Sequence, residues 1–236
     1  MPNGLMLGSK SRSITRNELR EIETPEPTRS WKPVPHAEVA DLIIGHAQSL
    51  GYEIENEQYG VNPSGTKMFG VARFHPEGNP DYTRALGFRN SHDMSFAVGL
   101  TVGLRVIVCD NLMLAGEQTL LRRHTSGIDL EEVVPRAFAS FEIRFQALEQ
   151  HRVRLSEEVI DIDEARLTVV RAAEMDAIPS CDILAILSEY TKPRHEEFAG
   201  PTRWSLYNCF TELSKKYTPE RAHKCRSRLA KLFELE

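Results

Sequence analysis

The hydrophobic pattern of this sequence changes its period along the chain. Between Tyr52 and Thr125, short apolar runs, several of them alternating with polar residues, are separated by Gly, Pro and Asn, which is typical of β-strands and turns. After Gly127, apolar residues recur every three or four positions, which is typical of amphipathic helices. An earlier stretch of helical period covers residues 36–50 and stops at Gly51. The sequence therefore predicts an α+β fold with an N-terminal helix, an antiparallel sheet with a central hairpin, a long amphipathic helix and C-terminal helices.

The chain divides into three predicted regions. Residues 1–35 are predicted to form an extended N-terminal arm, because proline lacks a backbone donor and disfavours helix in the residue before it. The prolines in question are Pro25, Pro27, Pro33 and Pro35. Residues 36–153 are predicted as an α+β core domain and residues 154–236 as a helical C-terminal region. Within the core, residues 130–153 are expected to form one long helix.

Composition narrows the class of protein. Hydrophobic residues make up 41% and charged residues 27% of the 236 residues, which is close to globular averages and excludes a disordered or fibrous chain. The 29 basic and 34 acidic residues give a formal charge of −5, so nucleic acid could bind only at a local basic patch. The four cysteines form no CxxC pair, which argues against disulfides and zinc. This cysteine pattern suits a reducing compartment, so we expect a cytoplasmic protein. No apolar run approaches the ~18 residues of a bilayer span, so we expect no membrane partner.

The predicted hairpin joins residues 67–75 to residues 82–90 through a loop rich in Pro and Gly. If the strand ends beside the loop face each other, Arg73 lies opposite Arg84 on one face of the sheet. Two opposed arginines repel each other unless an acid or an anion lies between them. The pair is therefore a candidate phosphate-binding site.

The same register predicts that the other face of the hairpin carries only small residues. These residues are Gly70, Ala72, Ala85 and Gly87. The segment 91–103, with Gly99 and Gly103 one turn apart, is predicted to contain a short helix that packs against this small-residue face.

Seven basic residues on the hairpin and at the strand ends form the candidate nucleic-acid-binding set. They are Lys67, Arg73, Arg84, Arg89, Arg105, Arg122 and Arg123. Phe69, Tyr82 and Phe88 are neighbouring aromatic residues on which bases could stack. A basic groove with aromatic residues is how proteins hold single strands, so single-stranded DNA is the leading predicted partner.

Three short polar strings, at residues 89–93, 109–111 and 122–125, each follow a predicted strand. If they converge, they bring together a polar cluster of Asn90, His92, Asp93, Asp110, Asn111 and His124. Within it, His92, Asp93, Asp110 and His124 could bind a divalent metal or act as an acid and base, so the alternative is a metal-dependent phosphoesterase or nuclease. Helix capping and turn formation also account for these polar residues, without any functional site. The sequence holds no GxxxxGK[ST], GxGxxG or HExxH motif, so no cofactor or metal is predicted, and an enzyme is the less favoured reading.

Six strings in combination resemble a family of phage and plasmid proteins grouped as domain of unknown function 932. They are WKPVPH (31–36), MFG (68–70), LGFRNSHD (86–93), VCDN (108–111), RHT (123–125) and WSLYNCFTE (204–212). The resemblance implies phage or plasmid origin and a cytoplasmic location, but no established activity. In its predicted order of elements the chain is also similar to single-strand annealing proteins of phages and of the Rad52 type, which implies homo-oligomers that hold single-stranded DNA.

A further alternative is a non-catalytic accessory protein that binds a host protein. Residues 127–200 are rich in acids, and this helical region would supply the contact surface. The contact residues would include Glu157, Glu158, Asp161 and Asp163.

Overall fold

Seven strands form one antiparallel sheet in the computed structural model, which describes residues 12–75, 82–106, 112–114 and 119–235. The strands are β1 (Arg12–Ile14), β2 (Ile54–Val61), β3 (Lys67–Phe74), β4 (Tyr82–Ser91), β5 (Val98–Val106), β6 (Leu112–Leu114) and β7 (Leu120–Arg122). Strands β1 to β6 are neighbours in chain order, and β7 also pairs with β5. The hairpin of β3 and β4 is central. The predicted α+β class is confirmed.

Helices pack beside the sheet, and the described chain after β7 is mainly helical. They are α1 (Arg16–Arg20), α2 (His36–Ser49), α3 (Leu130–Phe138), α4 (Phe141–Glu157), α5 (Ile162–Glu174), α6 (Ile183–Thr191), α7 (Arg203–Ser214) and α8 (Pro219–Leu232). Their starts follow ordinary capping chemistry: the Asp161 carboxylate accepts from the backbone N–H of Glu164, and Thr202 and Thr218 act similarly for α7 and α8. Helix α1 and strand β1 lie within residues 1–35, which we expected to be extended. None of the described helices combines the length and apolar character of a membrane span.

The sheet has two faces with different coverings. The inner face carries Met68, Leu86, Phe88, Leu100 and Val102, each at most 3% exposed, in the main core with α2, α3 and α4. The outer face carries a small separate cluster of Phe69, Val71 and Ala85, against which Phe96 packs. Helix α8 approaches this face, because its Glu220 forms an ion pair with Lys67 on β3.

The predicted register of the hairpin is wrong by one residue. Arg73 lies opposite Ala85, and Gly70 lies opposite Phe88. Because opposed residues share a face, Arg73 and Arg84 lie on opposite faces of the sheet. The reason is packing: the Phe88 ring lies directly over Gly70, where a larger residue would collide with it.

The predicted small-residue face divides for the same reason. Gly70 and Ala72 lie on the inner face, whereas Ala85 and Gly87 lie on the outer face.

The predicted helix within residues 91–103 is also wrong. After a loop, β5 pairs with β4 so that Gly99 lies opposite Arg89 and Gly103 opposite Ala85. This strand is buried on both faces: Val98, Leu100, Val102 and Leu104 lie on one face, and Gly99, Thr101, Gly103 and Arg105 alternate with them on the other. Two glycines four residues apart share a face in a strand as well as in a helix, which is why the sequence pattern misled us.

The long helix predicted over residues 130–153 is two helices. Helix α3 ends at Phe138 and α4 begins at Phe141, and α4 then continues to Glu157. The break lets Phe138 and Phe141 both enter the core, where their rings stack with centroids 4.0 Å apart. Helices α5 to α8 lie in the region after residue 153, for which the sequence predicts helices.

Candidate functional site

Two of the three polar strings meet in a buried network centred on Asn90, at the end of β4. The Asn90 amide nitrogen donates to the carbonyl of Val34 at 2.7 Å and to Nδ1 of His36 at 2.9 Å. Its Oδ1 accepts from Nε2 of His124 at 2.7 Å. Asn90 is fully buried and His124 is 5% exposed. One amide therefore joins the end of β4, the segment after β7 and the start of α2.

Two histidine rings complete this network. The rings of His36 and His92 are stacked, with centroids 3.8 Å apart and planes inclined by 2°. Nε2 of His36 donates to the carbonyl of Gly65 at 3.0 Å, and Nε2 of His92 donates to the carbonyl of Val34 at 2.9 Å. These bonds require a proton on Nε2 of each ring, and His36 must also be neutral because its Nδ1 accepts from Asn90.

Burial reinforces the neutral state of the three histidines. The pKa of His36 is lowered to about 3, chiefly because burial disfavours the charged ring and secondly because His92 is adjacent. Burial also lowers the pKa of His92 and of His124. Their imidazoles therefore hold the segment around Val34 against the strand ends as uncharged hydrogen-bond partners.

The geometry of this network differs from that of a metal site. Within residues 12–75, 82–106, 112–114 and 119–235, no group of three or more His, Cys, Asp or Glu side chains is arranged to hold a metal ion. Asp93 contacts Ser95, Thr66 and Lys67 on the surface. The remaining members of the predicted polar cluster, Asp110 and Asn111, lie outside the described residues.

Among the described residues, three of the seven predicted cations, Lys67, Arg73 and Arg84, have ion pairs with carboxylates. Arg73 pairs with Glu55 at 2.8 Å, Arg84 with Glu142 and Glu149 at 3.1 Å each, and Lys67 with Glu220 at 2.5 Å. Arg105 is 4% exposed, and Arg89 is partly buried with its guanidinium carbon 5.1 Å from the centre of the Phe96 ring. Since the two hairpin arginines also lie on opposite faces, these residues do not form one continuous basic strip.

Arg122 and Arg123 are arranged differently. Both are exposed, and among the described residues neither has a carboxylate partner. Arg29 and Lys32 share these properties. We refer to Arg29, Lys32, Arg122 and Arg123 as the basic surface.

The basic surface is assembled by pairing between two distant parts of the chain. Trp31 and Thr125 form an antiparallel bridge, and the backbone N–H of Lys32 donates to the carbonyl of His124 at 3.0 Å. Neither residues 28–36 nor residues 119–128 contain Asp or Glu. Sequence reasoning missed Arg29 and Lys32. The available signal was the string WKPVPH, which places Lys32 directly after Trp31.

The fold defines an α+β protein whose central antiparallel sheet is flanked by helices and whose strand ends are tied to residues 31–36. The chain belongs to the family described as domain of unknown function (DUF932), whose model matches residues 27–233. The matched range includes both the buried network and the basic surface. No curated protein and no solved structure matches the chain.

Proposed function

We propose that this protein binds single-stranded nucleic acid, most simply single-stranded DNA, through the basic surface. One observation carries the proposal: four exposed cations, free of carboxylate partners in the described part of the chain, lie on two adjoining segments without acids. The phosphate backbone is the ligand for such a surface, because cations that neutralise phosphates release condensed counterions. A local patch is sufficient even though the whole protein has a net charge of −5.

Trp31 favours single strands over duplex DNA as the ligand. It lies between Arg29 and Lys32 in sequence and is partly exposed. Unpaired bases stack on aromatic rings with little preference for sequence, whereas the bases of a duplex are already stacked on each other. A tryptophan beside cations thus suits a single strand whose backbone runs along the basic surface.

The biological setting that we propose follows the family resemblance. A phage or plasmid replicating in the cytoplasm exposes single strands during replication and recombination. We extend the proposal to strand annealing by homo-oligomers because the order of elements predicted from the sequence resembles that of annealing proteins. Fold similarity alone does not fix function, so this setting depends on the binding proposal.

The test is a binding titration with a fluorescent single-stranded oligonucleotide across a range of salt concentrations. We expect the double variant Arg122→Ala/Arg123→Ala to bind at least about tenfold more weakly at low salt. If each arginine contacts one phosphate, the slope of log affinity against log salt should become shallower by about 1.4, since each contact to a single strand contributes about 0.7.

The matched control is Arg73→Ala, which removes a cation already paired with Glu55. We expect it to bind like the wild type. The proposal is wrong if the wild type fails to bind at low salt, or if Arg73→Ala weakens binding as much as the double variant does.

A further inference from the structure

The side chain of Asn90 connects the two segments that carry the basic surface. Its amide nitrogen donates to the carbonyl of Val34, which lies shortly after Lys32 in the sequence. Its Oδ1 accepts from the ring of His124, which directly follows Arg123. The segments also bond to each other, because the backbone N–H of Lys32 donates to the carbonyl of His124. Each half of the basic surface is therefore anchored close to the same buried amide.

The prolines of the first segment explain why side chains hold it in place. Pro33 and Pro35 flank Val34 and lack the backbone N–H that a further β-strand would donate. The pairing of Trp31 with Thr125 is accordingly an isolated bridge. The carbonyl of Val34 instead accepts from the side chains of Asn90 and His92. Without these side-chain donors, the first segment would be less firmly fixed against the strand ends.

The members of the buried network are not themselves accessible to a ligand. Asn90 is 0% exposed, and His36, His92 and His124 are at most 5% exposed. They can therefore affect binding only by positioning the residues on the surface above them. Position matters there because the affinity of a basic surface for a polyanion depends on how many phosphates its cations reach at once.

The hydrogen bonds of the network also make it sensitive to acid. Protonation of His36 at Nδ1 would remove the acceptor that Asn90 uses. Burial and then the charge of His92 lower the pKa of His36. His124 acts in the same direction, and the carboxylate of Asp93 opposes them. Because the rings of His36 and His92 are stacked with centroids 3.8 Å apart, protons are taken up more readily when the network opens.

We propose that the buried network positions the basic surface and makes its binding of single-stranded nucleic acid sensitive to acid, an inference that rests on the proposed function. Asn90 acts as the positioning residue: it touches no ligand but keeps the cations of both segments within reach of one strand. Opening of the network separates Arg29 and Lys32 from Arg122 and Arg123, so the affinity falls. Charge alone predicts the opposite, because added protons make the protein less negative and favour a polyanion.

The first test compares binding of an oligothymidylate, labelled with a dye that does not titrate, at about pH 7.5 and about pH 5.5 and constant ionic strength. We expect the wild type to bind at least about tenfold more weakly at the lower pH, as when two cations leave the surface. His36→Gln can keep the bonds to Gly65 and Asn90 without titrating, so its affinity should fall less. His75→Gln, at an exposed position, is the matched control and should lose as much affinity as the wild type.

A double-mutant cycle at about pH 7.5 tests the positioning role without acid. Asn90→Leu has a side chain of similar size without hydrogen bonds, and should weaken binding at least about tenfold in the wild-type background. In the Arg122→Ala/Arg123→Ala background, the same change should weaken binding by a smaller factor, because half of the basic surface is already lost and relative position matters less. A merely structural defect would weaken binding by the same factor in both backgrounds.

Failure of this inference is distinguishable from failure of the proposed function. A wild type that does not bind at about pH 7.5 overturns both. A folded wild type that binds equally well or more tightly at about pH 5.5 overturns this inference alone, and so does equal weakening by Asn90→Leu in the two backgrounds. Circular dichroism establishes folding in each case. If the acid condition or the Asn90→Leu change unfolds the protein, the other test decides.

Discussion

The side-chain amide of Asn90 fixes the protonation state of His36, although the two residues are 54 positions apart in the sequence. Both of its N–H groups are used, one on Val34 and one on Nδ1 of His36. Nδ1 of His36 must therefore accept, and a proton there would face the amide donor directly. The network is consequently satisfied only while His36 is neutral.

This requirement predicts that stability falls in mild acid. The pKa of His36, His92 and His124 lies below the ordinary value of 6.5, so the unfolded chain binds more protons than the folded protein does. The contribution of the three neutral histidines to the unfolding free energy is fully present above about pH 6.5. It is lost as the pH falls, by up to about 1.4 kcal/mol per pH unit for each histidine. Urea unfolding at about pH 7.5 and about pH 5.5 measures the loss.

The variant His36→Gln tests the assignment of this loss. Glutamine can donate to Gly65 and accept from Asn90, but it does not titrate. We expect a smaller decrease in unfolding free energy between the two pH values than in the wild type. His75→Gln, at an exposed position, should behave like the wild type. An identical decrease in His36→Gln would contradict the role of the network.

Gly70 provides a second prediction at the scale of one residue. A Cβ there would overlap the Phe88 ring, which is packed in the core. We expect Gly70→Ala to lower the unfolding free energy by about 1–3 kcal/mol, as overpacking does. Gly45→Ala is the matched control, because Gly45 lies in α2 with open space around it. That change should stabilise by about 0.5–1 kcal/mol. Denaturant unfolding compares the two, and equal effects would refute the packing argument.

At the scale of elements, α8 is tied to the end of α5 by charge. Arg221, Lys224 and Arg228 all bind Asp176, which follows α5 with a left-handed φ of 53°. The carbonyl of Asp176 also accepts from Arg221 and Arg228. The hydrogen bonds from Lys224 and Arg228 lower the pKa of Asp176 to about 2. One acid thereby orients three basic side chains of the last helix.

We expect Asp176→Asn to lower the melting temperature at low ionic strength. Asparagine tolerates the left-handed backbone and keeps the carbonyl, so the variant removes the charge alone. The difference from the wild type should shrink in about 1 M salt, where the screening length is about 3 Å. Asp163→Asn, which breaks a single exposed pair with Arg166, should have no measurable effect. A difference that persists in high salt would exclude an electrostatic cause.

The elements also show how far sequence reasoning extends. The strands of the hairpin and the helices after residue 127 were predictable because their apolar residues repeat with a clear period. The hairpin register was not, because it depends on which residue faces Gly70, and one residue of slip reverses every side chain. The break between α3 and α4 follows from the packing of Phe138 and Phe141, which no local pattern specifies.

At the scale of the molecule, the location of each cation could not be predicted from its place in the sequence. Seven basic residues looked equivalent, yet Arg73 and Arg84 meet carboxylates that lie elsewhere in the chain. The convergence of two polar strings was an expectation, and the structure brings Asn90, His92 and His124 together. His36, which was not among the predicted cluster residues, joins them through its hydrogen bond with Asn90. Such long-range pairing requires the whole fold.

The bridge between Trp31 and Thr125 has a thermodynamic consequence. The bridge brings together cations that are about ninety positions apart in the chain. Because unfolding separates these cations, the unfolded chain has no preformed binding surface for a polyanion. A ligand that binds only the folded surface must stabilise the folded state by mass action, by about 2.7 kcal/mol at a concentration one hundred times its Kd. Binding of a nucleic-acid strand should therefore raise the melting temperature of the protein.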